Sequence, residues 1–439
     1  MMAFVIKMSA CSSGWVGYGE AVVGRRTWGG LRGWLAAAGV VVIVAGGAAD
    51  GSAASSPTAV QIDIAVQSAA VDAILQRRAA AVLRRDEGEF LADVDPYNKE
   101  LLAAQKVLFQ NLVQFGFGKL AYHQGAPQFD QALIDKYGLT AYLVSAAMEY
   151  QIDGINEQPV QTALGYTFVK RSGRYVLVDD SHLDSEYPDS PNQEAWDTGP
   201  VLVQRGERTL VVVEAGQTQL ATSILSNAQL AIKAVNRWWA PDWKGGTVVI
   251  ALDDTKVRST DFAGSDWNGF AAVATSVYRW PADAGDDGSY VVVNPRERGQ
   301  LDARLLAHEF THVASAPYGR GVPLWLVEGA AGYVQRMPIY SKQTLDLHEQ
   351  RDLVRSRYVN KAKALPTNDQ FVGLSKDSSY ATSWYAVDYL VGKYGLNLVL
   401  GLYQELAWQE STPARRDSVM TEQLGRTEQQ LFAELKKGR

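Results

Sequence analysis

Apolar and polar positions fall into two rhythms along the chain, one of about 3.6 residues and one of short continuous runs. Helical spacing carries Val71 to Arg85, with Ile74, Leu75, Ala79, Val82 and Leu83 on one side, and again Lys99 to Phe115. Strand-like runs then follow at Leu139 to Tyr150, Gln161 to Lys170 and Tyr175 to Val178, and Ser172-Gly173 is a hairpin turn between the last two. Helices first and strands afterwards predict an α+β domain over residues 60–180. Residues 181–200 are rich in Asp, Ser, Pro and Glu without apolar periodicity, and read as a linker. A second region, 201–437, opens with strands at Thr209 to Glu214 and Thr247 to Leu252 around a helix near Asn227 to Trp239. Further strands at Gly269 to Thr275 and Tyr290 to Asn294 lead into a helix over Leu301 to Ala316. Pro323 can occupy the first turn of the next helix, where its missing N–H costs nothing. The rest is mostly helical, including Tyr380 to Gly395, which stops at its glycine, and a tail from Leu424 to Leu435.

The amino-terminal stretch has a different character. Lys7, Arg25, Arg26 and Arg32 precede an uncharged run, Gly33 to Ala49, which gives way to small residues. That order describes a targeting segment, residues 1–55, either a cleaved signal peptide or a membrane anchor. In both cases the positive flank stays inside and the bulk of the chain is exported, to the cell surface or beyond. Arg25-Arg26 is only a weak twin-arginine signal.

Composition narrows the function classes. A length of 439 residues, 47% hydrophobic and 21% charged, fits two or three globular domains. The net charge of −6 provides no electrostatic footprint for nucleic acid. Cys11 is the only cysteine, so no intrachain disulfide can form. Nothing in the pattern fixes an oligomeric state.

The chemistry concentrates in one stretch. In the helix over Leu301 to Ala316, His308 and His312 are four apart and share a face, with Glu309 beside them. Catalytic zinc takes three protein ligands and leaves a position for water, so a third donor is needed. Glu328, about a turn into the following helix, is the candidate. Gly329, Ala330, Ala331 and Gly332 come directly after it, and close approach to the first helix would account for them.

His308-Glu309-Phe310-Thr311-His312 followed by Trp325-Leu326-Val327-Glu328-Gly329 resembles the gluzincin metallopeptidases, in particular the peptidase MA-like families, over most of 201–437. The resemblance implies a small mixed sheet, an active-site helix pair and a mostly helical end. It also implies Zn2+ held by His308, His312 and Glu328, with Glu309 as general base and a peptide or protein as substrate. Metzincins are excluded, since Ser315 and Tyr318 stand where glycine and a third histidine are required. The thermolysin pattern fits less well, because Gly332 stands where an aspartate would orient a histidine. Gluzincins often use a downstream tyrosine as oxyanion donor, for which Tyr380 is preferred over Tyr385, with His348 weaker than either. Phe270 to Ser276 is the expected edge strand for an extended substrate, with an internal strand as the alternative. The 60–180 domain is similar in outline to the cone-shaped nuclear-transport-factor-two-like fold, which hosts enzymes and binding modules alike.

Other polar residues read as structural. Asp93, Asp95 and His123 are expected at surface or satisfied positions, and His182 in solvent. Ala147-Met148-Glu149-Tyr150 lacks the glycine and asparagine of the gluzincin amino-terminus-binding element. Asp283, Asp286 and Asp287 match no calcium loop and read as a solvated turn. A second function class stays open: a cell-surface binding or sensory protein with a vestigial, inactive zinc fold.

Overall fold

The computed structural model describes residues 64–438 apart from 129–130, 139, 182–193, 259–270, 282–285, 319–320, 340–346, 372–374 and 408–410. The 1–55 segment, His182, Asp283 and the Gly269-Phe270 start of the expected edge strand therefore lie outside the described residues. Among the described residues, no helix is long and apolar enough to cross a membrane.

The chain is mixed α/β, with two small sheets and a helical end. Helices α1 (Ile64–Arg84), α2 (Glu87–Leu91) and α3 (Lys99–Phe115) come first. They are followed by β1 (Phe117–Gln128), α4 (Gln131–Tyr137), β2 (Tyr142–Ile152), β3 (Val160–Arg171) and β4 (Arg174–Asp179). The strands form an antiparallel sheet in the order β1-β2-β3-β4, and the last hairpin turns at Ser172 and Gly173, with φ of 50° and 86°. Strand β1 has no clear signal: only Leu120 and Tyr122 are buried, and it includes Gly118, Gly125 and Pro127. It is nevertheless held along its length by β2.

The second sheet is mixed. Strand β5 (Val201–Arg205), also unforeseen, pairs antiparallel with β6 (Thr209–Glu214); α5 (Thr218–Trp238) then crosses over to β7 (Thr247–Ile250), parallel to β6. After α6 (Asp254–Arg258), β8 (Ala272–Tyr278) and β9 (Asp286–Val293) form a hairpin, and β9 inserts beside β7 to give the order β5-β6-β7-β9-β8. Strand β8 is thus an edge of the sheet. Both faces are covered, which is why Leu210 to Val213 is uniformly apolar. Val211 and Val213 point into a core made with the helices, while Leu210 and Val212 join the core of the first sheet. The end of the expected linker joins that second core: Ala195 and Trp196 are buried, Trp196 standing edge-on to Phe115, Phe117 and Tyr150 with centroids 5.0 to 5.9 Å away.

Helices α7 (Ala303–Ser315), α8 (Leu324–Arg336), α9 (His348–Val354), α10 (Lys376–Tyr394), α11 (Leu396–Leu406), α12 (Pro413–Leu424) and α13 (Glu428–Lys437) complete the chain. One core joins α5 and α7 to the sheet and α8 and α10 to α7.

Candidate metal centre

Helix α7 starts where the side chain of Asp302 accepts hydrogen bonds from the amides of Arg304 and Leu305 at 3.0 and 2.9 Å, a cap worth about 1 kcal/mol. Its apolar residues Leu306, Phe310 and Val313 anchor it in the core, and the four-residue spacing turns His308 and His312 to a common face. Helix α8 starts one residue later than expected. Pro323 precedes it in extended backbone, φ −66° and ψ 142°, and its fixed φ and missing N–H suit a boundary. The Leu324 amide donates to Asn368 Oδ1 at 3.2 Å and Trp325 Nε1 donates to Glu428 Oε1 at 2.9 Å, which fixes the first turn of α8.

These two helices bring Glu328 to the imidazoles. Its Oε2 lies 3.4 Å from His308 Nε2 and 3.5 Å from His312 Nε2, and the imidazole planes stand at 74° with centroids 5.0 Å apart. One ligand atom from each of the three residues falls within 4.8 Å of the others. Donors at about 2.0–2.2 Å from a tetrahedral zinc stand about 3.4 Å from one another, and the two separations match that spacing.

The donors are also unsatisfied. Both ring nitrogens of His308, Nε2 of His312 and Oε2 of Glu328 are buried without a hydrogen bond of acceptable geometry. Each such atom costs about 1–3 kcal/mol unless a partner arrives. The chemistry of the set, two imidazoles and a carboxylate with borderline softness, fits zinc.

Electrostatics favours the charged forms within the bare chain. Burial pushes the Glu328 carboxyl upward, yet His312 and His308 outweigh it and hold the group below the usual carboxylate range. Burial pushes the His312 imidazole down, but Glu328, and behind it Glu309, raise it above its ordinary value. A compact negative charge thus faces the ring nitrogens. Glu309 follows His308 directly and is wholly buried.

The small residues after Glu328 have a different neighbour from the one expected. A Cβ on Gly329 would come within 2.5 Å of the Ser383 carbonyl oxygen and of Val387, and one on Gly332 within 3.4 Å of the Trp384 Cβ. The close approach is to α10, the tyrosine-rich helix, and not to α7. Glycine's cost within a helix is offset by that contact.

Tyr380 and Tyr385 are both buried on α10. Tyr380 shares a stripe of that helix with Ser383 and Val387, the residues against Gly329, and packs edge-on to Phe371 with centroids 5.2 Å apart. Tyr385 belongs to the side where Arg351 meets Asp388 at 2.7 and 2.8 Å, and it contributes to raising the Arg351 pKa, behind the dominant Asp388 bond. His348 is exposed and pairs with Asp352 at 3.2 Å, so it does not join the buried cluster.

Three residues near the centre carried no sequence signal for a role. Trp239 Nε1 donates to Ser315 Oγ at 2.8 Å, and the Tyr403 ring stands edge-on to Trp239 at 5.5 Å. Burial raises the Tyr403 phenol, a bond with Ser315 works against that shift, and Glu328 adds to it, so Tyr403 lies within electrostatic reach of the third candidate ligand. Ser315 is three residues past His312 on the same helix face, a relation visible in hindsight; nothing in the sequence distinguishes Tyr403 from other apolar-face tyrosines.

In the first sheet, Asp93 bonds Arg77 at 2.5 Å and Asp95 bonds Arg171 at 3.0 Å, both as satisfied structural groups. Glu149 is buried on β2, with Lys119 at 2.5 Å and His123 Nε2 at 2.8 Å.

No protein-family model and no curated protein matches the chain. Among solved structures it is similar to a two-domain M1 zinc metallopeptidase variant bound to L-tryptophan, with 14% identity, a TM-score of 0.29, and 68% of this chain and 62% of that one covered. It is also similar to an M1 zinc metallopeptidase variant from Deinococcus radiodurans, at 13% identity and a TM-score of 0.31, covering 68% and 62%. The same enzyme bound to a Tyr-Ser-Ala substrate gives 14% identity and a TM-score of 0.30, covering 68% and 61%. The chain spans less than two thirds of the length of those structures.

Proposed function

We propose that the chain is a zinc-dependent peptidase, with His308, His312 and Glu328 as metal ligands and Glu309 as general base. The observation that carries this reading is the buried, unsatisfied convergence of two imidazoles on one carboxylate, 3.4 and 3.5 Å away, with a second carboxylate adjacent in sequence. A zinc ion held there would polarise the scissile carbonyl and acidify a water. Glu309 would accept a proton from the attacking water as its oxygen bonds the carbonyl carbon, and would return that proton to the amine as the C–N bond breaks. The low-dielectric surroundings strengthen the field of the cluster. A phenol then donates to the oxygen that becomes negative; Tyr380 is the assignment, because its stripe of α10 faces the turn of α8 that carries Glu328.

The extended substrate backbone pairs with the outer edge of β8. Among the described residues no strand pairs with β8 along Ala272 to Tyr278 on the side away from β9. Ala272 and Ala274 share the core of α7, so a chain on that edge runs beside the metal helix. The region 60–180 is assigned to the nuclear-transport-factor-two-like fold, supported by its order of helices and antiparallel strands. Export follows from the positively flanked apolar run, Gly33 to Ala49.

The test is digestion of a mixed peptide library by the protein freed of residues 1–55. Cleavage abolished by a chelator and restored by zinc is the expected result. Zinc bound without any cleavage would instead leave a binding protein with a vestigial site.

A further inference from the structure

The second sheet has two edges, and the first region treats them differently. Along β5 the backbone is capped by side chains of α3: the Val201 amide donates to Asn111 Oδ1 and the Val203 amide to Gln114 Oε1, both at 3.1 Å, while Gln114 Nε2 donates to the Val201 carbonyl at 3.1 Å. That is edge protection by fixed polar groups. Along β8 nothing comparable is seen among the described residues until the strand ends.

There the first sheet closes the edge with backbone. Strand β4 pairs only with Thr167 to Arg171 of β3, which leaves the start of β3 uncovered on that side. The chain leaving β8 fills it. Arg279 bridges Val160 in antiparallel fashion, the Trp280 amide donates to the Pro159 carbonyl at 2.8 Å, and Gln161 Nε2 donates to the Arg279 carbonyl at 2.8 Å. The Trp280 ring stacks on His123 at 4.1 Å and 16°, and His123 is held in turn by buried Glu149.

From this placement, and resting on the peptidase reading above, we propose that the Pro159–Gln161 segment of the first sheet is a stop for the substrate chain. Val160 occupies the position that a substrate residue opposite Arg279 would need. Antiparallel pairing is the more stable mode of strand addition, and it points the amino-terminal side of the substrate toward Arg279. The edge left unpaired among the described residues spans seven residues, so an extended substrate presents no more than about that number on the amino side of the cut. On the carboxyl side the stop imposes no limit. Val160, Gln161 and His123 belong to the stop alone, and none is part of the metal cluster or of β8.

The experiment is a ladder built on one short peptide that the zinc-loaded protein cleaves, lengthened by about twelve residues, well beyond the free edge, at either its amino or its carboxyl end. The stop predicts a fall in kcat/KM of about tenfold or more at the original bond for the amino-extended peptide, and little change for the carboxyl-extended one. Equal cleavage of both, or a loss confined to the carboxyl extension, overturns the proposal while leaving the peptidase intact. No chelator-sensitive cleavage of any peptide overturns both. The double variant His123→Ala, Gln161→Ala loosens the anchor, and is expected to shrink the difference between the two ladders while kcat/KM for the short parent stays the same. An unchanged ladder in a folded double variant would leave those two side chains without the assigned role.

Discussion

Two buried carboxylates in this molecule each face imidazole, and they are built for opposite ends. Glu149, in the first sheet, has both partners at hydrogen-bond distance, Lys119 at 2.5 Å and His123 at 2.8 Å, and those partners remain half exposed to water. Glu328 has two imidazoles at 3.4 and 3.5 Å, all three groups are buried, and the facing atoms make no proper hydrogen bond. The first cluster is complete as it stands, with exposed partners that can be solvated. The second is a set of buried electron-pair donors aimed at a common point, costly as long as nothing satisfies them. Composition alone would rank them alike; the difference lies in satisfaction and in access to water.

The largest expected effect is at the base. Glu309→Gln keeps the ligands and removes the proton acceptor, so hydrolysis should fall by about a thousandfold or more with zinc content unchanged. Steady-state kinetics on the zinc-loaded variant decides this; wild-type turnover would end the assignment of Glu309. Next comes the metal. Glu328→Ala should weaken zinc binding by at least about a hundredfold, read by competition with a chromophoric chelator, because it removes one of three donors and leaves two buried rings facing nothing. The same titration in wild type should depend on pH in a defined direction. Zinc requires neutral imidazole, and His312 sits above its ordinary value of 6.5 in the bare chain, so affinity should begin to fall as pH drops through a point higher than 6.5.

Tyr380→Phe follows, with a loss of about a hundredfold in kcat and zinc affinity retained, whereas Tyr385→Phe should leave kcat close to wild type. A reversed pattern would move the donor role to the Arg351 side of α10. The smallest effect is at the comparison cluster. Glu149→Gln should cost about 1 kcal/mol by urea denaturation, since its partners are largely exposed and regain water. Zinc affinity should not change. A loss of metal from this variant would mean that the two clusters are coupled and that the contrast drawn between them is false.

Much of the site could be read before any fold was known, because it depends on local geometry. Four-residue spacing on a helix brings His308 and His312 together whatever surrounds them. The strand pattern of β6 and β7 is equally plain, since a sheet covered on both faces needs uninterrupted apolar residues, whereas β9 begins at Asp286, four residues before its apolar run, so Asp286 and Asp287 lie in a strand and not in the expected solvated turn. Strands β1 and β5 were harder. Each is defined by a partner and not by its own alternation: β1 is held by β2, and β5 by β6 and by the side chains of α3. Trp196 is hidden for the same reason, an aromatic in a polar stretch whose place is set by Phe115, Phe117 and Tyr150.

By itself, then, the sequence determined the residue types, their spacing within single helices, and a polar set consistent with one metal ion. Only tertiary structure decided that Glu328 meets the rings at 3.4 and 3.5 Å, that Gly329 yields to α10 in place of α7, and that Trp239 holds Ser315. It likewise decided that α3 caps one edge of the second sheet and that the first sheet meets the other at Arg279. The physical reason is range: helical period and capping act over a few residues, while contact between distant segments depends on how whole faces pack, which no short window of sequence contains.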